Sequence, residues 1–161
     1  MTVVDPSDAG VSVRPAERGD LSAVVHIERR VFPQPWPYRA FERHLGSPGF
    51  LVAEAASAGD ALSGYVVADV IPGPGVRRGH VKDIAVAEDR RGRGIGSVLL
   101  GMALDVLAAH EAERVKLEVR RANEAAQSLY RSFGFEHART IPAYYDDGED
   151  ALVLERDAGG E

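Results

Sequence analysis

The sequence contains no cysteine. That absence excludes disulfides, thiolate metal sites and any mechanism through a cysteinyl covalent intermediate, and it reads as the composition of an intracellular protein. Long hydrophobic runs are missing too: no apolar stretch approaches the ~20 residues of a membrane span. The opening MTVVDPSDAG lacks both the basic region and the apolar region of a signal peptide. These features lead us to expect a soluble, untargeted, cytoplasmic chain with no membrane partner. Basic charge is not in excess. The formal net charge is −6 and the pI about 5.4, which argues against direct nucleic-acid binding, and the arginine doublets Arg29-Arg30, Arg77-Arg78, Arg90-Arg91 and Arg120-Arg121 are local exceptions or solvated surface. Two nucleotide signatures are also absent. There is no G-x-x-x-x-G-K-[ST] loop, and Gly92, Gly94 and Gly96 are spaced G-x-G-x-G rather than G-x-G-x-x-G. His26, His44, His80, His110 and His137 show no metal-ligand spacing, so no metal is expected.

What is present suits one domain. A chain of 161 residues buries roughly 70% of its unfolded surface without disulfide or metal. The polar, small-residue ends predict a frayed segment over 1–10, a domain over 11–156 and a flexible tail over 157–161. Val11 to Arg14 alternates like a strand, and Asp20 can cap a helix to about residue 31 in which Leu21, Val24, Val25, Ile27 and Val31 recur at helical spacing. Three prolines between Phe32 and Pro37 then break the chain before a short helical stretch, Tyr38 to Leu45, leaving a rigid aromatic loop as a candidate substrate wall. Phe50 to Ala56 and Gly64 to Ile71 read as a hairpin, and a third strand runs from about 79 to 87. Ile95, Val98, Leu99, Met102, Val106 and Leu107 line one face of a helix to about 109, about 23 Å long. Val115, Leu117 and Val119 alternate with Lys116, Glu118 and Arg120. This strand–helix–strand unit implies a parallel pair after an antiparallel start. Asn123 can cap a further helix carrying Ala126, Leu129, Tyr130 and Phe133, which Gly134 ends, and Phe135 to Thr140 and Ala151 to Arg156 read as closing strands.

The most informative stretch is Glu88 to Ser97, where arginines and glycines meet at a helix start. Free backbone N–H groups and the positive end of the helix dipole favour an anion there, and glycines let a ligand approach the backbone. A tight strand-to-helix connection would produce the same glycines, so this turn alone leaves both readings open.

Its neighbours add a resemblance. Arg91-Gly92-Arg93-Gly94-Ile95-Gly96 resembles the Q/R-x-x-G-x-G/A pattern of the GNAT acyltransferase superfamily, and the likeness extends from Val11 to Arg156. It is nearest to RimI-type and archaeal Ard-type protein N-terminal acetyltransferases. The stretches that carry it are Gly79 to Val86, Leu117-Glu118-Val119-Arg120-Arg121-Ala122-Asn123, Ser128 to Phe135 and Tyr144 to Ala151. The resemblance implies an α/β (α+β) fold: a mixed, mostly antiparallel seven-stranded sheet, splayed between strands 4 and 5 where a pantetheine arm inserts, with about four flanking helices. It implies direct acetyl transfer from acetyl-CoA to the N-terminus of a ribosomal protein or nascent chain, hence a peptide or protein acceptor, with ribosome association. A monomer or weak homo-oligomer is expected. Lysine or small-molecule amine acetylation, and a catalytically idle acyl-CoA-binding subunit, are the rival readings, because a fold does not fix an acceptor.

By the same resemblance, Glu118 is the base that takes the amine proton through water; without the motif it would be a solvated glutamate paired with Lys116 or Arg120. Tyr130 protonates the departing thiolate while its ring packs in the core. Ile84, Ala85 and Val86 offer backbone groups to acetyl-CoA, with the Val86 N–H polarising the thioester carbonyl. Arg91, Gly92, Arg93, Gly94, Ile95, Gly96 and Ser97 form the pyrophosphate cradle, and Asn123 contacts the cofactor or only caps its helix. Tyr144 and Tyr145, with Gln34 and Trp36 of the proline loop, line the acceptor groove. Gln34 replaces the glutamate of Ard-type members, and Pro35-Trp36 is closer to the RimI pattern. His80 matches a histidine common among Ard-type members and reads as a hydrogen-bonded sheet residue.

Overall fold

The computed structural model describes residues 5–6, 9–55 and 61–158. Ala56, expected to end the second strand, lies outside the described residues. One sheet of seven strands runs in the order β1-β2-β3-β4-β5-β7-β6. Its strands are β1 Val11–Pro15, β2 Leu51–Ala55, β3 Leu62–Ile71, β4 Arg78–Val86, β5 Arg114–Arg120, β6 Glu136–Ile141 and β7 Ala151–Asp157. All neighbours pair antiparallel except β4 and β5, which pair parallel. Four α-helices cover it: α1 Leu21–Val31, α2 Tyr38–Arg43, α3 Ile95–Ala109 and α4 Glu124–Ser132. The expected α/β layout with a mixed, mostly antiparallel sheet therefore stands.

The alternation along each strand divides the core in two. On one face Val66, Val81, Leu117 and Leu154 pack with Leu99, Leu100, Ala103 and Leu107 of α3 and Tyr130 of α4. On the other, Tyr65, Val67 and Ala85 pack with Leu21, Val24 and Ile27 of α1 and Phe41 of α2. Burying each such side chain contributes about 1.5–3 kcal/mol, so a sheet covered on both faces gains from every residue of its central strands. None of the described helices is long and apolar enough to cross a membrane.

Two expectations at the ends change. Ala9 and Ala158 are both buried, and the Ala158 N–H donates to the Glu113 carbonyl at 2.9 Å. The packed chain thus reaches past 11–156 on both sides. Asp20 precedes α1 but its side chain does not cap that helix. Its carboxylate instead accepts from Arg14 at 2.7 Å and from the Glu17 N–H at 2.7 Å, closing the 3-10 turn Arg18–Asp20.

The feature that positions the site is where β4 and β5 part. Their pairing runs from Arg78↔Arg114 to Val81↔Leu117 and stops, although β4 continues to Val86 and β5 to Arg120. Between β3 and β4 the register passes from Val67↔Asp83 to Ala68↔Val81. Lys82 is therefore an extra residue, a bulge that bends β4 at the start of the splay. It also lets Val81 and Ile84, three residues apart, pack on the same α3 face.

Candidate functional site

The wedge between the splayed strands has one edge made of backbone. The Ala87 N–H donates to the Ser63 carbonyl of the neighbouring strand at 2.8 Å. In an antiparallel pair alternate residues turn their N–H and C=O to the same side, so Ala85 and Asp83 also face β3 while Ile84 and Val86 turn toward β5. β5 has already diverged there. Ile84 and Val86 thus offer an unpaired strand edge to an extended, amide-bearing chain. Ala85, named with them from sequence, spends its backbone on β3 and its side chain in the α1-side core.

At the wide end of the wedge α3 begins without a side-chain cap. Gly94 sits at its N-cap with φ +82°, and the first intrahelical bond is from the Val98 N–H to the Gly94 carbonyl at 3.0 Å. The N–H groups of Ile95, Gly96 and Ser97 precede that first bond and are left for an anion. Gly92 is also left-handed, at φ +81°. A Cβ on Gly96 would lie 3.4 Å from Leu129 of α4 and 3.7 Å from Val86, so this helix start closes directly onto the wedge. Arg91 and Arg93 flank it and are exposed. The helix start offers N–H groups to an anion, and the adjoining Ile84–Val86 edge offers backbone to an amide-bearing chain.

Inside the wedge, Glu118 lies on the polar face of β5. Its Oε1 is 2.7 Å from Nε2 of His80 on β4 and its Oε2 is 3.1 Å from Nζ of Lys116. Burial pushes the carboxyl up, but the hydrogen bond and charge of His80, then those of Lys116, outweigh it and hold Glu118 down to about 2. The sequence-level pairing with Lys116 is present, whereas Arg120 turns elsewhere. Tyr130 enters from α4, 6% exposed, its ring edge-on to Phe135 with centroids 6.1 Å apart. Burial first, then the Asp83 charge, raises its phenol above the ordinary tyrosine value, so it remains protonated at neutral pH. Asn123 does cap α4, its Oδ1 accepting from the Ala126 N–H at 3.1 Å.

Two loops face each other across the mouth. Arg120 donates to Glu149 at 2.8 Å and Asp147 at 2.9 Å in the loop before β7, and its guanidinium carbon lies 4.0 Å from the centroid of the Tyr145 ring. Burial raises the Tyr145 phenol to about 12 against the opposing pull of Arg120. Tyr144, 49% exposed, meets Tyr145 edge-on at 5.0 Å. From the proline loop, the Gln34 Oε1 accepts from Arg120 at 3.3 Å and from the Asp146 N–H at 3.1 Å. Gln34 therefore bridges the two walls. Trp36 stacks on His44 at 5.6 Å and tilts against Phe41 at 5.2 Å, which sets its ring on the inner side of the loop. Reading the sequence missed Arg120 as the link between these loops and His80 as the partner of Glu118; the shared polar face of β4 and β5 was the available signal.

An open strand edge beside an uncapped helix start defines a class of sites that hold an extended, amide-bearing chain together with an anion. Known proteins place this chain within that class. The profile of the acetyltransferase (GNAT) family matches residues 21–135, and the chain belongs to that family. It is 36% identical over 152 residues to an N-alpha-acetyltransferase of Sulfolobus acidocaldarius, covering 88% of this chain and 89% of that one. It is also 36% identical over 152 residues to the N-alpha-acetyltransferase RimI of Mycobacterium tuberculosis, covering 92% and 94%. Among solved structures, the ribosomal-protein-S18-alanine N-acetyltransferase from Escherichia coli superposes with a TM-score of 0.77 at 30% identity, covering 92% of this chain and 94% of that one. The protein is an acetyl-CoA-dependent N-acetyltransferase.

Proposed function

We propose that the protein acetylates the α-amine of a peptide or protein N-terminus, in a ribosomal protein or nascent chain of the cytoplasm. The observation that carries this reading is the bridged mouth. Gln34, Arg120 and Asp146 join the proline loop to the loop before β7, beside a charged carboxylate held on β5, so an acceptor has to come in past two tied loops. The names of the Mycobacterium tuberculosis and Escherichia coli relatives support the α-amine and the ribosomal acceptor.

Acetyl-CoA supplies an activated acetyl thioester. The Ile84 and Val86 backbone orients it, and the Val86 N–H is placed to polarise its carbonyl. Arg91, Arg93 and the α3 start, with Gly92, Gly94, Ile95, Gly96 and Ser97, hold the pyrophosphate end. Glu118 stays ionised and so accepts from Nε2 of His80, which fixes a hydrogen on that nitrogen. The amine proton then passes to the His80–Glu118 pair, through water, with Glu118 fixing the tautomer and balancing the imidazolium. This assigns proton acceptance to the pair rather than to Glu118 alone. Tyr130, protonated and beside the wedge, donates to the departing thiolate. Tyr144, Tyr145 and Trp36 line the path of the first acceptor residues.

The test is a pair of peptides of the same sequence, one with a free N-terminus and no lysine, the other N-terminally blocked and carrying a lysine. Acetylation of the first alone is expected. Acetylation of the second alone would move the acceptor to a side-chain amine and overturn the assignment.

A further inference from the structure

One buried acid cluster has no part in the chemistry above. Glu28 of α1 is 1% exposed, a rare burial for a glutamate. Its Oε2 accepts from the Trp36 N–H at 2.9 Å, and its Oε1 accepts a short hydrogen bond from the Tyr65 hydroxyl. Asp83 of β4 is only half-buried as a residue, yet its Oδ2 is sealed from solvent and has no hydrogen-bond donor. Among the described residues no lysine, arginine or histidine pairs with either carboxyl. Two neighbouring carboxylates in such a site cannot both be ionised. Burial, then the hydrogen bond and charge of Glu28, hold Asp83 well above the ordinary carboxyl range.

We propose that Glu28 is a positioning residue for acetyl transfer, acting through one proton it shares with Asp83, and that the pair ties the acceptor loop to the splayed end of β4. The covalent structure of the loop makes this grip matter. Within Pro33–Pro37 the three prolines carry no N–H, so Gln34 and Trp36 hold the only two backbone donors of that run. Glu28 takes one of them. Two residues earlier, the Gln34 side chain spans the mouth to Arg120 and Asp146. Next to Asp83 in β4 stands Ile84, whose backbone faces the wedge. The shared proton therefore links the wall that receives the acceptor to the edge that receives the thioester, and this rests on the function proposed above.

Trp36 is the only tryptophan of the chain, so its emission reports on the loop without need of activity. The titratable groups around the cluster are separable. His44, stacked on Trp36, is held low by burial and then by Lys82, so its transition falls on the acid side in every variant. Tyr65 and Tyr130 are raised above the ordinary tyrosine value, chiefly by burial. In the wild-type chain the emission should change above the ordinary carboxyl range, as the shared proton leaves. Asp83→Asn, an isostere that carries its own hydrogen, should abolish that transition and keep the spectrum of the protonated wild type. Glu28→Gln can satisfy only one of Trp36 and Tyr65 once its amide faces Asp83. It should shift the emission at neutral pH and raise the KM for the free-N-terminus peptide about tenfold, the loss expected of one hydrogen bond to a charged group, with acetyl-CoA affinity unchanged. The same transition in wild type and Asp83→Asn, or wild-type emission and KM in Glu28→Gln, would overturn the proposal. If the wild-type chain acetylates no peptide, the proposed function fails while the emission still decides the clamp.

Discussion

Replacing Glu118 by Gln removes a charge held by two partners, and the structure sets the size of the effect. The carboxyl lies between His80 at 2.7 Å and Lys116 at 3.1 Å and titrates at about 2, against an ordinary 4.5. At about 1.4 kcal/mol per unit this depression corresponds to about 3 kcal/mol. His80 and Lys116 are partly solvated, and screening reduces the usable amount to about 1–2 kcal/mol. The sign follows from the depressed value: the stability is present above the unfolded carboxyl's pKa, near 4.5, and is lost as pH falls through about 2. Urea denaturation at pH 7 should therefore find Glu118→Gln about 1–2 kcal/mol less stable than wild type. The gap should close as the pH is brought from about 5 toward 2. The same variant frees the tautomer of His80, so kcat for a peptide at neutral pH should fall about 100-fold or more while acetyl-CoA affinity holds. A gap that persists unchanged into acid would refute the ion pairing, and an unchanged kcat would remove the His80–Glu118 pair from the mechanism.

Tyr130→Phe should lower kcat at least about tenfold in steady-state assays while leaving unfolding free energy within about 0.5 kcal/mol, because the ring packing is retained. A large loss of stability with unchanged kcat would make the residue a packing element only. Gly94→Ala places a Cβ on a backbone held at φ +82°. It should cost about 1–2 kcal/mol of stability and weaken acetyl-CoA binding in calorimetry; wild-type affinity would argue against an anion at the α3 start.

Local chemistry made the elements legible. Apolar spacing and Gly94 delimit α3 at Ile95–Ala109, alternation marks β5, and Asn123 marks the start of α4 through the same side chain that caps it. The turn into α3 was readable because Gly92 and Gly94 supply the left-handed backbone that a tight strand-to-helix connection needs. What could not be read depends on partners distant in sequence. His80 and Glu118 are 38 residues apart and meet only because β4 and β5 are parallel neighbours. Lys82 gives no sign of being a bulge, since nothing in its own chemistry differs from a paired strand residue. Glu28 looks like the polar face of an amphipathic helix, and only the packing of Tyr65 and the proline loop over α1 turns it into a buried acid. Arg120, an apparent partner for Glu118, is claimed instead by Glu149 and Asp147.

The splay persists because each of its strands is secured on its outer side. β4 pairs with β3 as far as Gly64↔Val86, and β5 pairs with β7 along its whole length, from Arg114↔Asp157 to Arg120↔Ala151. Divergence thus costs only the inner hydrogen bonds, and the two inner edges do not bear that cost equally. The Arg121 N–H donates outward to the Asp150 carbonyl at 3.1 Å, so by alternation Arg120 turns its backbone inward. Its carbonyl there accepts from the Asn123 N–H at 3.0 Å and from the Gln127 side chain at 3.2 Å. Gln127 is itself buried and bonds the Arg121 carbonyl at 2.8 Å. The start of α4 therefore satisfies the open end of β5 with the chain's own groups, while Ile84 and Val86 on β4 keep theirs unanswered. An extended ligand gains most by lying along β4. Under the function proposed above, that placement sets its phosphates at the α3 start and turns its reactive end toward Glu118 and Tyr130.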